Sequence, residues 1–215
     1  MKAAATALLL ATLTASRLPA QHVSVAGGYA MADYREQASF LHFQGFGPTA
    51  HVSAERGRFS LRVDGTHLDL QPSGDNAASL EAFTLDQLSV RAGFRAMSLV
   101  TVEAGYFRRA TSPSRAAQSY SAATFGVRAA YPLAPGADVA LRTAYVAGTD
   151  FTGGGSAPFG LELGLSAGYG PASSRFRLIG DFEFQRIDRK TEQDGGRLSV
   201  PIQSSVARLG VGVRF

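Results

Sequence analysis

The chain has no cysteine, so disulfides play no part in holding it together. Lysine occurs only at positions 2 and 190, and arginine fills every other cationic position. Beyond residue 20 no apolar run approaches the roughly 20 residues that a bilayer-spanning helix needs, which excludes a helical membrane protein unless the amino-terminal segment itself is retained. An excess of charge of one sign is also small. The formal net charge is +4, and without Lys2 and Arg17 it falls to +2, too little to point to nucleic acid. Histidine is rare, limited to His22, His42, His51 and His67.

What is present begins with a positive start, Met1-Lys2, and an apolar run from Ala3 to Ala15 centred on Leu8-Leu9-Leu10. Leu18-Pro19-Ala20 follows, with a small residue before Gln21. This order of regions predicts a secretory signal peptide over 1–20, cleaved after Ala20, and one mature domain over 21–215. The run is shorter than a transmembrane helix, and Arg17 interrupts its end.

The mature segment is dominated by period-two alternation, which is the signature of strands with two unlike faces. The last strand shows it best. Ala207, Leu209, Val211, Val213 and the terminal Phe215 share one face, while Arg208, Gly210, Gly212 and Arg214 share the other. One face suits hydrocarbon and the other a polar interior. This strand resembles the closing strand of small bacterial outer-membrane β-barrels, and the resemblance implies an outer-membrane location and recognition by the barrel assembly machinery.

Nine further alternating segments precede it, starting near Val23, Phe40, Phe59, Leu88, Val100, Ala123, Val139, Phe159 and Phe176. The predicted fold is therefore all-β: a closed, up-and-down antiparallel transmembrane barrel of ten strands, with eight as the alternative because the first two segments are irregular. Phe40-Leu41-His42-Phe43 breaks phase, and a bulge near 44–47 is the expected cause. Connections alternate between brief ones at 55–58, 96–99, 132–138 and 170–175 and longer polar ones at 71–83, 111–118, 149–158 and 188–201. Short periplasmic turns and long external loops follow that rule.

Aromatic rings favour the boundary between hydrocarbon and headgroup. Phe59, Phe94, Tyr131, Tyr169, Phe176 and Phe215 fall on the apolar phase at the short-turn ends and form the expected membrane girdle. A soluble lipocalin-like barrel would instead turn its apolar phase inward.

With the apolar phase facing lipid, the lumen receives Arg62, Asp64, Arg91, Arg95, Glu103, Arg128, Arg142, Glu162, Arg177, Asp181, Glu183, Arg208 and Arg214. Arginine and carboxylate pair with well-matched geometry, so two interiors are open: a salt-bridged plug, or a narrow pore for small polar solutes. Inner-phase glycines such as Gly164 and Gly212 leave space for a pore or allow tight curvature.

No catalytic residue, metal ligand set or cofactor is expected. His51-Val52-Ser53 with Glu55 is reminiscent of outer-membrane lipid A deacylases, where histidine activates the serine and a carboxylate orients the imidazole. That resemblance covers three residue types and falls at the periplasmic end of the second strand. A barrel-embedded enzyme, deacylase-like or protease, is thus the alternative to a structural, surface-exposed protein or channel. Asp64 with His67 reads as a strand-to-rim polar pair. Asp188 to Asp194 lacks the ordered spacing of a calcium loop. Outer-membrane lipid and lipopolysaccharide are the expected surroundings, met by Arg35, Arg108, Arg109, Arg115, Arg186 and Arg189 at the outer rim. Oligomeric state is not written in the sequence.

Overall fold

The computed structural model describes residues 22–37, 40–74, 77, 80–113, 118–171, 173–193 and 196–215, and the predicted leader lies outside them. Ten strands follow in chain order: β1 (His22–Glu36), β2 (Leu41–Arg56), β3 (Phe59–Pro72), β4 (Phe83–Arg95), β5 (Val100–Ser112), β6 (Tyr120–Ala134), β7 (Ala137–Phe151), β8 (Ser156–Tyr169), β9 (Phe176–Gln193) and β10 (Gly196–Arg214). Each pairs antiparallel with its chain neighbours, and β1 closes on β10 through a register running from Ser24↔Arg214 to Glu36↔Ile202. The barrel is closed. Ten strands stand and the eight-strand alternative does not, because β1 and β2 are fully paired from His22↔Glu55 to Glu36↔Leu41.

The expected bulge in β2 is absent. Pairing with β3 keeps one register from Phe43↔Pro72 through Arg56↔Phe59, with Gly47 and Pro48 passing between paired residues. The phase break has another cause. Phe43 is fully buried inside the barrel, whereas Phe46, three residues on, is 65% exposed outside it. An inward-facing apolar residue thus gives way to outward-facing ones along a single unbroken strand.

That change recurs around the barrel. The strands are 13 to 19 residues long, more than the ~9 to 11 that cross hydrocarbon on a tilt. Near the short turns they present apolar residues outward and charged residues inward. At the opposite end the polarity inverts: on β3, Leu68 and Leu70 point in and are buried, while Asp69 points out. On β4, Phe83 and Leu85 are buried and Asp86 is exposed. The cause is the medium outside. Where lipid surrounds the barrel the apolar phase faces out, and where water surrounds it the apolar phase must turn in.

The surplus strand length absorbs much of two of the four expected long loops, while the connections at 73–82 and 113–119 remain. Within the polar segment 188–201, Asp188 to Gln193 continues β9 and pairs with β10 from Pro201↔Asp188 out to Gly196↔Gln193. The connection between β7 and β8 shrinks to 152–155. Backbone groups in water still gain from ladder hydrogen bonds, so a strand need not end where the lipid does.

Tight curvature is visible where β1 meets β10. Gly28 pairs with Gly210, and a Cβ on Gly28 would sit 2.5 Å from the Gly210 Cα, while one on Gly210 would sit 2.6 Å from the Gly27 carbonyl oxygen. Only hydrogen fits between these backbones. Glycine here serves close approach of two strands more than lumen space.

Candidate functional site

The interior is layered. At the long-hairpin end a plug of fifteen buried apolar residues fills the lumen, including Tyr34, Phe43, Phe83, Phe107, Tyr120 and Phe151. The rings meet edge to face: Phe43 and Phe83 have centroids 4.8 Å apart at 77°, and Phe107 and Tyr120 lie 5.5 Å apart at 83°. Such geometry sets the positive ring edge against a negative ring face. Phe151 reaches this layer through an irregularity in the pairing of β6 with β7 that switches its phase inward.

Beneath the plug lies a layer of ion pairs. Asp64 accepts from Arg62 Nε at 2.7 Å and from Arg91 at 2.9 Å, and Arg91 also faces Glu162 at 3.8 Å. Arg142 donates to Glu103 at 2.7 Å and contacts Glu162. Across the lumen Arg208 donates to Asp181 at 2.7 Å and reaches Glu183 at 3.5 Å. The carboxylates of Asp64, Glu162 and Glu183 are buried, so pairing is what keeps them charged at tolerable cost.

A polar seam joins the two layers. Arg109 is buried; its guanidinium donates to Gln87 Oε1 at 2.7 Å and to the Tyr120 hydroxyl at 2.9 Å, and lies 5.2 Å from that ring's centroid. The Tyr120 hydroxyl donates to Gln185 Oε1 at 2.7 Å, and Gln185 Nε2 reaches Glu162 at 3.5 Å.

The remaining predicted lumen charges are placed lower, near the short turns. Arg95 pairs with Glu55 at 3.3 Å, Arg177 contacts Asp138, and Arg214 donates to the Ser174 carbonyl at 3.4 Å. Arg128 makes no ion pair among the described residues. Outside, Phe59, Phe94, Tyr131, Tyr169, Phe176 and Phe215 are all exposed, 42% to 67%, at the short-turn end of the barrel. Leu61, Leu141, Leu163, Leu165, Leu178 and Leu209 continue this apolar surface above them. Water would not tolerate a belt of this extent on a monomer.

Several expected placements change. Arg109 and Arg189 point inward rather than to the outer rim: Arg189 donates to the Gly154 carbonyl at 2.7 Å and lies 5.1 Å from the centroid of the Phe151 ring. Arg35 and Arg186 do face out, each held by a neighbouring carboxylate, Asp33 at 2.7 Å and Asp188 at 3.1 Å. Arg108 is exposed on the same outer face, and Arg115 lies outside the described residues. Asp64 and His67 stand on opposite faces of β3, and His67 instead pairs with Asp86 at 2.7 Å. The His-x-Ser triplet is not assembled as a relay. Ser53 shares a 2.7 Å hydrogen bond with Ser24, and Glu55 is taken by Arg95. Among the described residues no group of three His, Cys, Asp or Glu side chains is arranged to hold a metal ion.

No protein-family model and no curated protein sequence matches the chain. In three dimensions it is similar to the outer membrane protease OmpT from Escherichia coli, with a TM-score of 0.50 and 8% identity over 91% of this chain and 96% of that one. The chain is a barrel of the outer-membrane type. At that identity the likeness speaks for the fold alone, and the exposed apolar belt is this chain's own mark of a bilayer environment. Neisserial surface protein A (TM-score 0.41, 17% identity, 91% of this chain and 97% of that one) and the attachment invasion locus protein Ail of Yersinia pestis (0.40, 13%, 90% and 98%) are also similar.

The plug, the Arg109 seam and Asp138 were missed by sequence reasoning. A signal was available: Leu68, Leu70, Phe83 and Leu85 alternate as cleanly as the lipid-facing residues, but on the opposite phase. Tracking phase continuously along each strand, instead of searching for apolar stripes, would have found it.

Proposed function

We propose that this protein is a closed, non-conducting outer-membrane barrel with a structural role, displaying its long polar hairpins at the cell surface. The observation that carries this reading is the filled lumen: an apolar plug stacked on a layer of arginine-carboxylate pairs. An ion crossing it would have to shed water against Phe43, Phe83 and Ile202, each of which is at most 3% exposed, and transfer of an unpaired charge into such a layer is strongly unfavourable. Small barrels have interiors that side chains can fill. The unassembled arrangement around Ser53 supports a non-enzymatic role.

Planar-bilayer recording tests the reading. Purified folded barrel is expected to insert without stable single-channel openings. Reproducible openings that a bulky replacement at Gly164 or Gly212 abolishes would establish the pore instead.

A further inference from the structure

Below the ion-pair layer the lumen opens. A cavity of about 400 Å³ and an adjoining one of about 450 Å³ lie at the short-turn end and share Glu55, Arg128 and Asp138 as walls. A smaller recess of about 140 Å³ runs from them up to Arg91, Arg142 and Glu162, and Arg128 lines it too. Short turns face the periplasm, so this is a blind vestibule opening to that compartment. Volumes of this order suit a small-molecule ligand.

The charges in its wall are not balanced. Glu55 is matched by Arg95, Asp138 by Arg177, and Glu103 by Arg142. Arg128 is left with no ion pair among the described residues while lining all three cavities, and Arg214, on the wall of the 400 Å³ chamber, is held by a main-chain carbonyl. Hydroxyls line the same chamber, among them Ser166 and the hydrogen-bonded pair Ser24 and Ser53. Two guanidiniums without a carboxylate partner at ion-pair distance, with hydroxyls nearby, present planar forks of N–H donors, which match the oxygen geometry of phosphate.

We propose that this vestibule is a binding site for a small phosphate-bearing anion entering from the periplasm, with Arg128 as its principal contact and Arg214 as its second. The ligand supplies the directly bonded oxygens that no carboxylate among the described residues gives Arg128 at ion-pair distance. The site is separate from the plug, so it stands whether or not the barrel conducts.

The test uses full-length folded protein in a phosphate-free maltoside detergent at constant ionic strength. Inorganic phosphate and glycerol 3-phosphate are titrated separately by calorimetry. Saturable binding of at least one probe is expected, weakened about tenfold or more by Arg128→Gln. Arg128→Lys, which keeps the charge but loses the fork, should retain part of the affinity. Arg108→Gln on the outer face should change nothing, and heat-resistant sheet content confirms that each variant is folded. Equal affinity for both probes assigns free phosphate as sufficient, and a clear preference for glycerol 3-phosphate assigns an organic monoester. Absence of saturable binding by either probe, or binding unaffected by Arg128→Gln in a folded barrel, would overturn the proposal.

Discussion

Replacing Asp64 with alanine is expected to destabilise the barrel by about 3–5 kcal/mol, measured by reversible urea unfolding in lipid vesicles. Asp64 is only 7% exposed and serves two cations at once, Arg62 at 2.7 Å and Arg91 at 2.9 Å. Removing the carboxylate leaves both guanidiniums in a confined space. Arg91 then keeps only the longer contact to Glu162 at 3.8 Å, and Arg62 keeps no carboxylate within ion-pair distance among the described residues. Most of the cost is the stranded charge rather than the lost attraction. It follows that Asp64→Leu combined with Arg62→Met and Arg91→Met should recover much of the loss, because a buried ion cluster replaced whole by apolar groups is often neutral or better. A triple variant as unstable as Asp64→Ala would show that the cluster contributes through its attraction and not through mutual neutralisation.

Phe43→Ala is expected to cost a similar amount, about 3–5 kcal/mol in the same assay. Its ring is fully buried, packs edge to face on Phe83, and sits in the plug where neighbours on other strands cannot move far without breaking the ladder. The transfer of the ring from water and the cavity it leaves both count against the variant. Phe46→Ala, three residues on, removes the same side chain from an outward position that is 65% exposed, and should cost well under half as much. The contrast between two phenylalanines of one strand is diagnostic. If Phe46→Ala proved as costly as Phe43→Ala, the inside and outside assignments at this level would be wrong.

The barrel itself was legible in the sequence because a bilayer imposes a single repeated demand on every strand. Phe159, Leu161, Leu163 and Leu165 against Gly160, Glu162, Gly164 and Ser166 can be read directly, and so can the closing alternation from Ala207 to Phe215. The inner charges were legible for the same reason, since Arg91, Glu162 and Arg208 stand on the phase that cannot face lipid. Their partners were not. Arg91 is on β4 and Glu162 on β8, and which residues meet across a lumen depends on strand tilt and stagger that a linear pattern does not contain. The plug escaped for a different reason. Leu70, Phe83 and Ile187 obey the rule of a water-soluble barrel, and a reading tuned to lipid takes them for breaks in pattern or for loop. Arg109 and Arg189 look like surface cations by position, yet fold inward because Tyr120 and Phe151 offer ring faces and because carbonyl and amide oxygens of Gly154 and Gln87 accept from them. The unpaired state of Arg128 is visible only once every carboxylate near it has been assigned elsewhere.

Because the chain has no native cysteine, a single introduced thiol carries a spin label without background. Labelling residues 161 to 168 of β8 one at a time in lipid vesicles and measuring collision with oxygen, which concentrates in hydrocarbon, tests the outward orientation of the apolar phase directly. High accessibility at positions 161, 163, 165 and 167 and low accessibility at 162, 164, 166 and 168 is the predicted result. The opposite phase, or values without a two-residue period, would contradict it.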